Sequence, residues 1–183
     1  MKSSQVYTSI SAPVATLLSS AAALGISGSR RPPAASLAAL SAALCAAPTG
    51  IPVLVGDAQG IDARARQIRP SARVFVAADH GDGPQSFATR SITCVRATVA
   101  AGGIWCAFPA SPCPAGLAPS ASSRRAFSGH GSGTWASLAL ALGLGLPTLV
   151  YLPPGVPAPW SALSAIEGGW WSSAPAAAQL ALF

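Results

Sequence analysis

Three glycine-bearing segments carry residue types suited to binding phosphate. They are Gly25-Ile26-Ser27-Gly28-Ser29-Arg30, Gly56-Asp57-Ala58-Gln59-Gly60-Ile61-Asp62 and Ser128-Gly129-His130-Gly131-Ser132-Gly133-Thr134. Glycine lets backbone N–H groups approach an anion closely, and a following helix adds unsatisfied N–H groups and the positive end of its dipole. Serine and threonine add hydroxyl donors. Each segment taken singly is also typical of a structural turn between a strand and a helix.

The spacing of these glycines excludes two common nucleotide-binding classes. None of the segments matches GxxxxGK[ST], and none has the GxGxxG pattern. Neither a P-loop NTPase nor an ordinary dinucleotide-dependent dehydrogenase is therefore supported.

Apolar runs alternate with helix-compatible segments along the chain. The predicted strands are Ala22–Ile26, Pro52–Val55, Arg73–Ala77, Gly103–Phe108 and Thr148–Leu152. The predicted helices are Ala34–Ala46, Asp62–Ile68, Ser86–Ala101 and Gly133–Gly143. Because the apolar runs are continuous, the strands should be covered on both faces, as in parallel sheets. We predict an α/β, three-layer Rossmann-like domain with a mostly parallel sheet of five or more strands.

Length and composition set the domain organisation. The chain has 183 residues, of which 51% are hydrophobic and 9% charged, so it can bury a core and is not a disordered protein. We expect one domain over residues 1–153, with a Pro/Gly/Trp-containing extension over 154–183 packed on it. In this extension, Gly169 to Ser172 is either an edge strand or an oligomer contact, and the Trp170-Trp171 pair is equally compatible with core filling. We predict a long loop over Pro109 to Ser123, on the binding face.

The chain is basic, with eleven Lys and Arg residues, ten of them Arg, against five Asp and Glu. A net charge of +6 favours anionic partners, although compositional bias in a genome would also produce it. The Arg residues form short clusters such as Arg30-Arg31 and Arg124-Arg125, without a basic arm. Arg90 and Arg124-Arg125 are candidate anion clamps, with surface solvation as the alternative.

The cysteines and histidines do not indicate a metal site. The four cysteines, Cys45, Cys94, Cys106 and Cys113, form no CxxC pair, and the two histidines are isolated. Asp79-His80-Gly81-Asp82-Gly83 could hold a metal but is more typical of a polar turn. We predict no cofactor and no metal, and reduced, buried thiols in a cytoplasmic protein.

One uncharged stretch, Thr134 to Pro153, is long enough to raise the question of a membrane span. Gly143, Gly145 and Pro147 interrupt it, and its second half is rich in strand formers, so we predict a helix, a turn and a buried strand. The N-terminal residues contain no concentrated hydrophobic region, and we predict no signal peptide and no membrane partner.

Three motifs together resemble the SLOG superfamily. They are Gly-Ser-Arg at 28–30, G-x-A-x-GID-x-x-A-R from Gly56 to Arg66, and Gly-Ser-Gly-Thr at 131–134. This superfamily unites the Rossmann-like domain of the DNA-processing protein DprA with the Lonely Guy phosphoribohydrolases. The resemblance covers roughly residues 24–153.

The resemblance implies a pocket for a nucleotide or another phosphate ligand. Gly28, Ser29 and Arg30 would line one side, Gly131 to Thr134 would hold the phosphate, and Gly56 and Gly60 would shape the second loop. Asp62 would either contact the ligand or cap its helix. The expected binding residues are Gly28, Ser29, Arg30, Gly56, Asp57, Gly60, Asp62, Arg90, Gly131, Ser132, Gly133 and Thr134.

One departure from the family argues against hydrolysis. Lonely Guy enzymes carry PGGxGTxxE, and Ser137 stands where this motif has its glutamate. Glu167, the only glutamate, lies far downstream, so catalysis would require Asp57, Asp62 or Asp79 instead. The expected function is a nucleotide sensor or binding module. The alternatives are binding of single-stranded DNA, as in DprA, or a residual hydrolase acting on nucleoside monophosphates; a homo-oligomer is also expected from the family.

Overall fold

The computed structural model describes residues 10–129 and 131–173. The N-terminal residues 1–9, on which the signal-peptide prediction partly rests, lie outside this range. His130 of the third glycine segment and residues 174–183 of the C-terminal extension also lie outside it.

A seven-stranded sheet forms the centre of the fold, in the order β3-β2-β1-β4-β5-β7-β6. The strands are β1 Leu24–Gly28, β2 Val53–Gly56, β3 Arg73–Phe75, β4 Ile104–Phe108, β5 Thr148–Tyr151, β6 Ser164–Ala165 and β7 Trp170–Ser172. Strands β1 to β5 are parallel, whereas β7 pairs antiparallel with β5, and β6 antiparallel with β7. Every residue of β2 and β4 is buried, which explains why these strands are continuous apolar runs.

Helices cover both faces of the sheet. They are α1 Ala12–Ser19, α2 Ala34–Ala46, α3 Ile61–Ile68, α4 Pro84–Ala100, α5 Ser123–Ala126 and α6 Gly133–Gly143, with a 3-10 helix at Ala77–His80. Residues of α1, α2 and α3, such as Leu40 and Ile61, share one hydrophobic core with Ile26 of β1. Residues of α4 and α6, such as Val95 and Leu138, form a second core on the opposite face. The predicted three-layer α/β fold is thereby confirmed.

The five predicted strands and four predicted helices are present, with shifted ends. The strand predicted over Arg73–Ala77 stops at Phe75, because the Ala77 N–H donates to the Asp57 carboxylate at 3.0 Å and a 3-10 helix begins there. Helices α1 and α5 and strand β6 were not predicted. Strand β7 is not an edge strand, since it lies between β5 and β6.

Trp170 of β7 fills the core rather than standing on an exposed edge. Its ring makes edge-to-face contacts with Phe108 at 5.6 Å and with Tyr151 at 5.5 Å between ring centroids. The described part of the C-terminal extension therefore continues the same sheet, with the Trp170 ring buried against β4 and β5.

The uncharged stretch divides as expected into α6 and β5. Within the described residues, no helix combines the length and the apolar character needed to cross a membrane. All four cysteines are free; Cys94 and Cys106 are buried, and burial raises the pKa of both thiols. Cys45 is exposed, so the prediction that it is buried was wrong: α2 turns this position away from the sheet.

Arg69, at the end of α3, ties this helix to the neighbouring α2. Its Nη2 donates to the carbonyl oxygens of Leu44 at 2.6 Å and Ala47 at 2.8 Å, and its Nη1 donates to that of Thr49 at 3.2 Å. The last carbonyl groups of a helix lack intrahelical donors, and a cation there also interacts favourably with the helix dipole. Arg69 thus has a structural role and is not available as an anion clamp.

We expect Arg69→Ala to lower the free energy of unfolding by about 1–3 kcal/mol, because several charge-assisted hydrogen bonds to helix-terminal carbonyls are lost. The measurement is urea denaturation. Arg64→Ala is the matched control, since Arg64 is exposed on the same helix and its Nη1 donates to Gln67 at 3.3 Å. Equal effects of the two substitutions would contradict the proposed role of Arg69 as a cap.

Candidate ligand-binding cleft

A cleft of about 760 Å³ opens at the carboxyl edge of the parallel strands. Helices α3, α4 and α6 each lead into the next parallel strand, so their N-termini lie at this edge. Strand β1 lies at the point where the strand order reverses, with β2 on one side and β4 on the other. In open α/β sheets, ligands bind in the crevice at such a switch point.

Nine of the twelve predicted site residues line this cleft. They are Gly28, Ser29, Arg30, Asp62, Arg90, Gly131, Ser132, Gly133 and Thr134. Gly56, Asp57 and Gly60 do not line it. The topology thus brings together parts of all three glycine segments, which are separated by up to about a hundred positions in the sequence.

The loop after β1 forms one wall. A Cβ atom on Gly28 would overlap the side chain of Ile61, so this glycine allows α3 to pack directly on β1. The Ser29 carbonyl oxygen accepts from the Ile61 N–H at 3.1 Å, and the Ser29 hydroxyl oxygen accepts from the Arg31 N–H at 3.0 Å. These contacts hold the loop open toward the cleft, with the side chain of Arg30 exposed.

The second glycine segment supports the cleft from behind. Gly60 has a φ of 74°, and a Cβ atom there would overlap the backbone oxygen of Ser29. A Cβ atom on Gly56 would lie 2.6 Å from Asp62 Oδ2 and 3.1 Å from Arg90 Nε. Both glycines therefore permit close packing that positions other residues. The resemblance implied that they shape this loop but did not indicate which residues they contact.

Asp57 and Arg90 form an ion pair beside the cleft. Burial by itself would raise the pKa of Asp57, but the hydrogen bond from the Ala77 N–H and the contact with Arg90 outweigh it and lower this pKa. Arg90 lies in the second turn of α4 and is only 8% exposed. Asp57 therefore contacts the cleft indirectly, by holding Arg90.

Asp62 lies on the floor of the cleft and is 5% exposed. Burial raises the pKa of this carboxyl to about 6, although Arg90, Arg66 and the Ala58 backbone act in the opposite direction. The reading of Asp62 as a helix cap was wrong, because the cap position of α3 is Gly60 and Asp62 lies within the first turn. It is the only carboxyl group among the described residues that line the cleft.

The third glycine segment begins α6 at the opposite wall. The Ser132 side chain caps this helix by accepting from the Trp135 N–H at 3.4 Å. Gly131 has a φ of 82°, which places the chain in a conformation that favours glycine. Helix geometry leaves the N–H groups of Gly133 and Thr134 without intrahelical acceptors, and both residues line the cleft.

Several other predicted residues lie elsewhere. Arg124 and Arg125 line a second cavity of about 620 Å³ together with the loop around Ser120, so they do not clamp a ligand in the cleft. The loop predicted over Pro109 to Ser123 is irregular up to Ser122, where α5 follows, and Pro109, Ala110 and Ser111 line the cleft.

The polar turn Asp79 to Gly83 is partly a 3-10 helix, with Asp79 exposed and away from the cleft lining. No group of metal-ligating side chains occurs in the described part of the chain.

The expected binding residues left out several residues that line the cleft, among them Phe87 and Ser27. Phe87 is 46% exposed, and the guanidinium carbon of Arg30 lies 5.3 Å from its ring centroid. In the sequence, Phe87 could be recognised only as an aromatic residue outside the buried face of α4, which includes positions 86, 90, 94 and 98. Ser27 lies in the first glycine segment but was not among the expected binding residues; it is the penultimate residue of β1, and its hydroxyl oxygen is buried.

Comparisons with known proteins leave the family open. No family model matches the chain, and no curated protein or solved structure is significantly similar to it. The resemblance to the SLOG superfamily therefore stays a prediction.

Proposed function

We propose that this protein binds a nucleotide or a nucleotide-derived phosphate ligand in the cleft, as a sensor or binding module. The observation that carries the proposal is the meeting, in one cleft at the strand switch point, of the α6 N-terminus, Arg30 and the exposed ring of Phe87. These features match the phosphate and the base of a nucleotide.

The phosphate end of the ligand lies against α6 in this proposal. The N–H groups of Gly133 and Thr134 and the hydroxyl of Thr134 are donors for phosphate oxygens, and the helix dipole adds to their effect. Arg30 contributes an exposed cation at the facing wall. Because the Asp62 carboxylate lies on the cleft floor and repels an anion, the phosphate binds at the walls of the cleft and not at its floor.

Phe87 provides a surface for the base. Exposed aromatic rings beside a guanidinium group are common platforms for stacking nucleobases, because every base has a π-face. Nearly half of Phe87 is exposed, and the guanidinium carbons of Arg30 and Arg90 lie 5.3 and 5.9 Å from its ring centroid.

The distribution of charge supports a small ligand over single-stranded DNA. Arg66 donates to the carbonyl oxygens of Gly56 and Ala58, Arg69 to those at the end of α2, and Arg90 pairs with Asp57. These arginines satisfy internal groups, so the net charge of +6 overstates the cationic surface available for a nucleic-acid backbone.

We expect thermal unfolding to detect the ligand among nucleoside mono-, di- and triphosphates, NAD, cyclic nucleotides and short single-stranded DNA, each at two salt concentrations. A ligand at one hundred times its dissociation constant stabilises the native state by about 2.7 kcal/mol. Arg30→Ala should weaken binding of that ligand roughly tenfold, because a charge-assisted hydrogen bond to phosphate is lost. Isothermal titration calorimetry measures this change.

Arg31→Ala is the matched control, since it removes the same charge from the neighbouring exposed position, which does not line the cleft. Equal losses in both variants would indicate non-specific charge attraction. A shift with DNA alone that disappears at high salt would replace the proposal by DNA binding, and no shift with any compound would overturn it.

A further inference from the structure

Three buried polar atoms on the cleft floor have no hydrogen-bond partner among the described residues. They are Ser27 Oγ, Asp62 Oδ1 and Arg90 Nε, three of the six such atoms in the described part of the chain. All three residues line the same cleft. Buried polar groups are nearly always paired, so a cluster of unpaired ones at the floor of a cavity indicates the place of a ligand's polar group.

The partners of the Arg90 guanidinium show why its Nε atom is left over. Nη1 donates to Asp57 Oδ1, and Nη2 donates to the Ser91 hydroxyl oxygen at 3.4 Å. The Nε–H therefore remains as a donor without a partner among the described residues. A Cβ atom on Gly56 would lie 2.6 Å from Asp62 Oδ2, the Ala58 backbone hydrogen-bonds to this carboxylate, and the Oδ1 atom remains as an acceptor.

These atoms set the chemistry of the group that they can bind. Asp62 Oδ1 requires a donor, Arg90 Nε–H requires an acceptor, and the Ser27 hydroxyl serves as either. An ionised phosphate has acceptors only and is repelled by the Asp62 carboxylate. A hydroxyl group both donates and accepts, and two neighbouring hydroxyls can use all three protein atoms.

We propose that Ser27, Asp62 and Arg90 bind the vicinal hydroxyls of a ribose unit, which makes the cleft selective for ribose phosphates over their deoxy counterparts. This inference rests on the proposed function, and it assigns the sugar to the floor while the phosphate lies at the α6 N-terminus. A site built to bond a hydroxyl discriminates strongly against an analogue that lacks it, because its own polar groups are then left unpaired.

The test compares dissociation constants by calorimetry for ribose 5-phosphate and 2-deoxyribose 5-phosphate, which lack a base, and for AMP and its 2′-deoxy and 3′-deoxy forms. We expect the wild-type protein to bind each ribose compound at least about tenfold more tightly than its deoxy counterpart. The two compounds without a base separate recognition of the hydroxyls from recognition of the base.

Asp62→Asn should reduce the preference for ribose to less than about threefold while leaving the affinity for 2-deoxyribose 5-phosphate nearly unchanged. Ser27→Ala is the second variant, and it should reduce the preference in the same direction even if Asp62→Asn folds poorly. Asp79→Asn is the control, because Asp79 is exposed and outside the cleft lining.

Two results overturn the inference. Equal binding of ribose and deoxyribose compounds by the wild-type protein would refute it while leaving phosphate binding in place. Failure of every phosphate compound to bind would refute both this inference and the proposed function.

Discussion

Replacing Trp135 with alanine is expected to lower the free energy of unfolding by about 3–5 kcal/mol, the range for removing a large aromatic side chain from a core. Trp135 is fully buried in α6 and makes an edge-to-face contact with Trp160 at 5.6 Å between ring centroids. Its Nε1–H also donates to the Ser111 carbonyl oxygen at 2.9 Å, which anchors the loop that lines the cleft. Urea denaturation measures the loss.

Two variants make this prediction specific. Trp135→Phe keeps most of the ring but loses the hydrogen bond to Ser111, and it should cost about 1–2 kcal/mol. Trp171→Ala should cost less than Trp135→Ala, because Trp171 is only partly buried. A loss below about 1 kcal/mol for Trp135→Ala would show that α6 does not depend on this side chain.

The stability of the protein should carry a pH dependence that originates in Asp62. Burial raises the pKa of this carboxyl from 3.8 to about 6, so the folded state binds a proton more tightly than the unfolded state does. The resulting stabilisation is fully present below pH 3.8 and is lost as the pH rises through about 6. At 1.36 kcal/mol per pKa unit, the change amounts to about 3 kcal/mol.

Comparing wild type with Asp62→Asn isolates this contribution. The difference in free energy of unfolding between the two should change by about 2–2.5 kcal/mol between pH 4 and pH 8, because the unfolded carboxyl is already partly ionised at pH 4; Asp62→Asn gains relative stability at the higher pH. The contribution of Asp57 to stability changes with pH in the opposite direction, because the pKa of Asp57 is lowered. Asp57, Arg66 and Arg90 are present in both proteins, so the comparison isolates Asp62. A pH-independent difference would contradict the raised pKa of Asp62.

This cost at neutral pH is consistent with a role in binding. In the proposed site, a buried carboxyl that destabilises the fold at pH 7 lies beside an unpaired arginine nitrogen, as expected for polar groups arranged for a ligand rather than for stability. The pH experiment and the ribose comparison therefore both test Asp62, the first through the stability of the protein and the second through ligand binding.

Local sequence determined most of the elements of the fold. Helix α2 has the predicted bounds Ala34–Ala46, and α6 has the predicted bounds Gly133–Gly143. Buried parallel strands need continuous apolar runs, and glycine or proline ends them, so both signals lie within a few neighbouring residues. The 3-10 helix after β3 escaped prediction because it depends on Asp57, twenty positions away.

The sequence predicted only part of the candidate site. Glycine spacing identified three loops at one edge of the sheet, and nine of the twelve predicted residues line the cleft. Gly56 and Gly60 resemble the lining glycines in the sequence, but the packing of α3 on β1 turns them toward Asp62 and Ser29. The direction of a loop residue depends on its neighbours in space.

Tertiary structure alone decided how the charges are used. The sequence determined that the chain is basic, arginine-rich and poor in carboxylates. It did not determine that Arg69 caps α2, that Arg90 pairs with Asp57 across 33 positions, or that Asp62 is buried with an unpaired oxygen. Composition counts charges, whereas their energies depend on burial and on partners that only the assembled fold brings within hydrogen-bond distance.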